Sequence, residues 1–311
     1  MIPELQQQWA ISNFAISCTW EHIFGKSLAT DEFFQAWFYA RYVNDVAAAG
    51  KKAYNIPMYV NAALNYKNVK QGQYPSAGPL PHILNVWQTA ATAIDCLSPD
   101  FYNPYFKQYN DLYSRSNNSL FIPKIKFDAN VGAKVFYAIG HYKAFGFSPF
   151  SIESTACPTT ESIGKSYAMI HQLAPLIHQK SAEGKIDGVL LDKETQSQII
   201  TLGKYTIKMS HDNTLSWSSK RKDSVWAEGG GMVLQLSDDE FLIAGTGIVA
   251  TFTSATNKNA TVGILQTEEG HFVNGKWLAG RRMNGDEDHQ GRHVRIEADT
   301  WGIQKVKIYE Y

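Results

Sequence analysis

The run Leu120-Phe121-Ile122-Pro123-Lys124-Ile125-Lys126-Phe127-Asp128 is apolar up to its proline and charged just after it. A short apolar run of this kind reads as a buried strand. The C-terminal tips of buried parallel strands are where α/β folds gather functional groups, and Lys124 occupies this tip. Three carboxylates stand at comparable places: Asp100 after Ser98-Pro99, Asp128, and Glu153. Facing carboxyl groups about 5 Å apart are what retaining glycoside hydrolysis requires. The competing reading for each is an ion pair or a helix N-cap. Asp100 adjoins Phe101-Tyr102, whose rings would suit the C–H face of a sugar.

A second group is Asp286, Asp288, His289 and His293. These are metal-capable types, but a His pair four apart serves a metal only on a helix. The stretch Met283 to His293 is rich in Asn, Asp and Gly, so it reads as a polar loop bonding its own backbone. Gly245-Thr246-Gly247 is too short for a dinucleotide fingerprint. Cys18, Cys96 and Cys157 are odd in number and widely spaced, which implies buried thiols rather than a metal or redox motif. No cofactor follows from any of these patterns.

The elements that must position these groups fall into two rhythms. Residues 3 to 16 suggest a short amphipathic helix, and Thr19 to Gly25 a loop. Thr30 is a candidate N-cap with Asp31 and Glu32 behind it; Phe33, Ala36, Ala40, Val43 and Ala47 form one face, and Gly50 ends the helix. Strand-like runs then alternate with helices. Strands are expected over Ile56–Ala62, Ile94–Asp100, Leu120–Ile125 and Ala144–Phe150, with helices over His82–Ala93, Tyr105–Tyr113, Val131–Tyr142 and Ile163–Ala182. That alternation means βαβ units and a parallel sheet, and strands apolar on both faces agree. Asn61, Asp100 with Tyr102, Lys124 and Glu153 then share one rim.

From Ile186 the pattern changes to short β-like runs. Thr201–Met209 alternates, Gly229-Gly230-Gly231 reads as a breaker, and Ser237–Glu240 joins a hairpin. Asn274-Gly275 between apolar runs is the strongest short hairpin signal. The fold class expected is α/β plus all-β, with an α/β domain over 1–185 and a β-sandwich over 186–311.

Composition excludes several classes. The 29 basic and 29 acidic residues cancel, so nothing argues for nucleic acid. No stretch is apolar and long enough to span a membrane. Aromatic residues are 13% of the chain, which suits either sugar binding or a core. The first residues lack a basic head and apolar stretch, so a chain starting at Met1 carries no signal peptide and is expected in the cytoplasm.

Several motifs resemble glycoside hydrolase family 35 β-galactosidases of the bacterial subgroup with an added C-terminal β domain. In the first half they are Thr19-Trp20-Glu21, Phe24-Gly25, Tyr39-Ala40-Arg41-Tyr42-Val43, Pro57-Met58-Tyr59-Val60-Asn61-Ala62, Tyr74-Pro75-Ser76-Ala77-Gly78-Pro79, Ser98-Pro99-Asp100-Phe101-Tyr102, Leu120-Phe121-Ile122-Pro123 and Gly146-Phe147-Ser148-Pro149-Phe150. In the second half they are Gly188-Val189-Leu190-Leu191-Asp192, Gly280-Arg281-Arg282-Met283-Asn284-Gly285-Asp286 and His289-Gln290-Gly291-Arg292-His293.

The resemblance implies the C-terminal half of a TIM (β/α)8 barrel, strands five to eight, followed by the sandwich. It implies a β-galactoside as carbohydrate partner, with Asn61, Asp100 and Tyr102 facing it and Tyr102 approaching residue 124; Glu153, placed on the same rim by its position after a strand, is expected to join them in binding. It implies no metal. Two departures stand out. The family carries its acid/base glutamate in an Asn-Glu pair after strand four, and no such pair occurs here. The family also places its nucleophilic glutamate directly after Phe-Ile-Pro, where this chain has Lys124. A lysine cannot form the glycosyl ester, so no catalytic carboxylate is intact. The resemblance therefore implies a glycosidase-like chain that does not hydrolyse alone, completed by self-association or a partner chain. The alternative is a non-catalytic carbohydrate-binding protein, or a fragment of a split or decayed gene. Members of this type are often periplasmic or secreted.

Overall fold

In the computed structural model, which describes residues 18–65 and 68–311, Thr19 opens a helical turn rather than a loop. Its side chain accepts from His22 N and caps α1, Trp20–Phe24. The expected helix over 3–16 lies outside the described residues. The next helix, α2, is Leu28–Ala53, capped by Ser27, whose hydroxyl accepts from Thr30 N at 3.1 Å. The expected cap at Thr30 is thus one turn late, and its hydroxyl donates to Gly25 O at 2.6 Å instead. The helix also runs through Gly50, its expected stop. A mid-helix glycine costs about 1 kcal/mol, and the turn is held by Tyr54 N donating to Gly50 O at 2.9 Å and by Lys51 bonding Asp95 at 2.6 Å. Ala36, Trp37, Ala40 and Ala47 are buried, whereas Phe33 and Val43 are half-buried.

The described chain divides into two units. The first reaches to Lys126 and includes Ala144–Phe150; the second comprises Phe127–Lys143 and Ser151–Tyr311.

Four parallel strands organise the first unit: β1, Tyr59–Ala63; β2, Cys96–Phe101; β3, Phe121–Ile125; and β4, Gly146–Pro149, in that spatial order. The parallel sheet expected from the βαβ rhythm is present. The connections hold α3, Leu84–Ala90, and α4, Phe106–Tyr113. Asn118 lies in the loop after α4 and is buried because its amide replaces ladder bonds: it accepts from Leu97 N and donates to Leu97 O and Tyr113 O. Glu32 of α2 is buried where it pins the loop before α3, accepting from Tyr74 Oη at 3.0 Å and Ala77 N at 3.2 Å and meeting His82 Nε2 at 2.9 Å. Burial pushes that carboxyl up, but His82, the Ala77 N–H and Tyr74 outweigh it and hold it below the ordinary range. Burial, and the same carboxylate, push Tyr74 up to about 12.

The second unit joins two helices, α5, Val131–Gly140, and α6, Ser162–Ala182, to two antiparallel sheets. One sheet has six strands: β5, Ile186–Leu191; β8, Gly229–Ser237; β9, Glu240–Thr246; β11, Val262–Val273; β12, Lys276–Met283; and β14, Gly302–Glu310. The other has four: β6, Ser197–Leu202; β7, Tyr205–His211; β10, Ile248–Ser254; and β13, Val294–Ile296. Their inner faces share one core. Val189, Leu191, Val233, Ile243 and Val306 from the first sheet meet Ile200, Ile207, Met209, Ile248 and Val294 from the second. β6 and β7 alternate, buried side inward, whereas β5, β8 and β9 are buried almost throughout; stacking the two sheets buries both inner faces.

Two expectations are corrected. Thr201–Met209 is not one strand but a hairpin turning at Gly203-Lys204. Gly229–Gly231 does not break the chain but begins β8. The reason is tertiary. A Cβ on Gly230 would lie 2.2 Å from Ala133 O of α5, and one on Gly188 would lie 2.8 Å from Phe136 O. The glycines let the helix lie directly on the sheet. Asn274 and Gly275, at φ 51° and 75°, make the expected turn between β11 and β12.

Candidate functional site

β3 is irregular at its proline. Ile122 and Ile125 are both buried although three apart, and the β3–β4 register slips between them. Pro123 has no N–H to give the ladder, so the strand bulges there. Beyond the bulge Lys124 pairs in register with Asp100 of β2. Lys124 Nζ lies 3.8 Å from Asp100 Oδ2, and its side chain is 34% exposed against 8% for Asp100. Asn61 of β1 donates from Nδ2 to Asp100 Oδ1 at 2.6 Å. The ammonium sits 5.2 Å from the ring centre of Tyr102 and 4.6 Å from that of Phe150, and the two rings meet at 6.3 Å. Both rings are exposed.

Three expected residues, Asn61, Asp100 and Tyr102, therefore come together around Lys124. Asp100 is oriented by two neighbours, each from an adjacent strand. Lys124 Nζ makes no hydrogen bond within the described residues, so its donors are available to a ligand's oxygen. Aromatic faces within about 6 Å of the ammonium stabilise it. The arrangement can bind hydroxyl groups and stack a ring. It cannot deliver a carboxylate nucleophile from position 124. Phe150 was missed in the sequence, although it directly follows Ser148-Pro149 at the end of the fourth parallel strand.

Other candidates have different partners. Asp128 accepts from Asn130 N at 3.0 Å and lies 3.7 Å from Lys134, so it is taken up by its own turn and an ion pair. Glu153 lies exposed on the short 3-10 turn Ile152–Ser154 in the second unit. In the Met283–His293 loop, Asp288 accepts from Gly291 N at 3.0 Å through its carboxylate and from Arg292 N at 3.0 Å through its carbonyl. That is the self-bonded polar loop expected of its Asn, Asp and Gly content. His289 and His293 stack at 5.2 Å and both lie against Trp217. Burial, His289 and Arg295 push the His293 imidazole down to about 4, so it is neutral at pH 7. Cys96 is buried as expected, but Cys157 is exposed. Among the described residues no helix is long and apolar enough to cross a membrane.

No curated protein matches the chain. Residues 163–295 match the model of a domain of unknown function, DUF5597, which runs from the start of α6 through β12 into β13 and so lies within the second unit.

Proposed function

We propose that this chain is a β-galactosidase-like glycoside hydrolase scaffold of the retaining type that binds a β-galactoside without hydrolysing it. The carrying observation is the placement of Lys124, at the family's nucleophile position, among Asn61, Asp100 and Tyr102. A lysine ammonium beside a carboxylate and two exposed rings offers a sugar donors, an acceptor and a stacking surface. It offers no group to form the glycosyl-enzyme ester. On this reading the four parallel strands correspond to strands five to eight of a TIM barrel.

Completion by a second copy or a partner chain has its own support. Parallel sheets are normally covered on both faces. Here Tyr59 and Asn61, two apart on β1, are exposed, as are Tyr102 and Phe150. Among the described residues β1 and β4 are also the unpaired edges of this sheet, which invite pairing.

Hydrolysis and binding are tested separately. An aryl β-galactoside is expected to be stable in the presence of the chain, while methyl β-galactoside shifts the NMR signals of Asn61 and Lys124. Turnover by the unaltered chain overturns the non-hydrolytic reading, and unshifted signals overturn the binding site. Light scattering after size exclusion is expected to give more than one chain per particle; a folded monomer rules out completion by a second copy.

A further inference from the structure

The second unit contains a cleft of about 390 Å³ at the β12–β13–β14 side of the sandwich, within the range of small-ligand sites. Glu269, Arg281, Glu287, Arg295, Glu297 and Trp301 line it. Both arginines are ion-paired. Arg281 donates to the two carboxylate oxygens of Glu269 at 3.1 and 3.4 Å and lies 3.8 Å from Glu287. Arg295 donates to the two oxygens of buried Asp212 at 2.7 and 3.4 Å and lies 3.0 Å from Glu297. The bidentate pair with buried Asp212 fixes the Arg295 guanidinium in orientation, whereas Arg281, 58% exposed, is paired but less firmly held.

Trp301 is held as well. Its indole N–H donates to Ser166 Oγ at 2.9 Å, and Lys165 Nζ lies 4.6 Å from its ring centre. With the N–H used, the indole can offer the cleft only carbon surface. Apolar Met283 and Ile296 also line the wall. The charges select the ligand class. Two arginines face three glutamates, and each arginine is already neutralised, so the cleft has no positive surplus to hold a phosphate, sulfate or uronate. What it has is paired donors and acceptors and an aromatic surface.

We propose that this cleft binds a neutral saccharide of one or two rings, with its hydroxyls on the ion-paired Arg281, Glu287 and Glu297 and a C–H face on Trp301. It lies in a different unit from the Lys124 site, and its occupancy does not depend on the function proposed for that site.

The test is NMR of the full chain with 15N-labelled tryptophan, the Trp301 indole signal being assigned with Trp301→Phe. The probes are lactose, cellobiose, xylobiose, mannobiose and, as the charged counterpart, digalacturonate. At least one neutral disaccharide is expected to move the Trp301 signal saturably with a dissociation constant of about 1 mM. Arg281→Ala, which removes an exposed side chain, is expected to weaken binding about tenfold or more, and Glu297→Ala similarly. The proposal is overturned if no neutral disaccharide moves that signal saturably, if digalacturonate binds more tightly than every neutral one, or if both variants bind as the parent does. A second pair, Glu287→Gln and Glu269→Gln, keeps the comparison available should an alanine variant unfold.

Discussion

The pairing of Lys124 with Asp100 makes the sharpest prediction. Lys124→Met keeps the aliphatic stem over Tyr102 and Phe150 and removes the ammonium. At the observed 3.8 Å, two unit charges attract by about 1 kcal/mol in bulk water and about 4 kcal/mol at an effective dielectric of about 20. The Lys124 side chain is 34% exposed, so solvent screening puts the pair near the lower figure, as for other partly exposed ion pairs. Loss of the two ring contacts adds about 0.5–1 kcal/mol. Lys124→Met is therefore expected to cost about 1.5–2 kcal/mol. A double-mutant cycle with Asp100→Asn isolates the charge pair, because asparagine still accepts from Asn61. The coupling energy in urea unfolding is expected near 1 kcal/mol, and to shrink as salt rises from about 0.05 to about 0.5 M. Lys124→Glu is expected to reverse its sign by setting two carboxylates together. A coupling within about 0.3 kcal/mol of zero at low salt would show that Lys124 and Asp100 act independently, and the reading of the site as one oriented unit would fail.

Two further predictions concern the second unit. The His293 imidazole is depressed to about 4 in the folded chain, from an ordinary 6.5. The unfolded chain therefore takes up the proton first, so stability is full above pH 6.5 and declines as pH falls towards 4. The loss is at most about 3 kcal/mol, and His293→Gln is expected to flatten the thermal-melting profile over that window; an unchanged slope counts against a buried neutral ring. Gly230→Ala would place a methyl group 2.2 Å from the backbone oxygen of Ala133. Neither backbone can step aside alone, so a loss of about 1–3 kcal/mol or more is expected in urea unfolding. Stability equal to the parent would mean that α5 does not lie on β8 as described.

The legible parts were those governed by local chemistry. Strand-like runs alternating with helical spacings over 56–182 specified a parallel sheet, because strands joined through intervening helices return in the same direction. The Asn274-Gly275 turn was readable because few residue pairs tolerate two successive positive φ angles. Thr19 and Thr30 show the limit of such reading. Both are good N-cap types, yet only Thr19 caps a helix, because Ser27 lies one turn earlier and takes the place expected of Thr30.

What the chain determined by itself was which side chains end each strand: Asn61, Asp100 with Tyr102, and Lys124 directly after Pro123. Only tertiary structure decided what those groups touch. The bulge at Pro123 brings Lys124 to Asp100, and the return of the chain through β4 lays Phe150 against the ammonium. Likewise Gly229–Gly231 reads locally as a breaker, and becomes a strand because a helix far away in sequence needs the space its missing side chains leave. The physical reason is the same in each case. Backbone preference and alternation act over a few residues, whereas contact distances between strands and helices are set by packing partners that no local window contains.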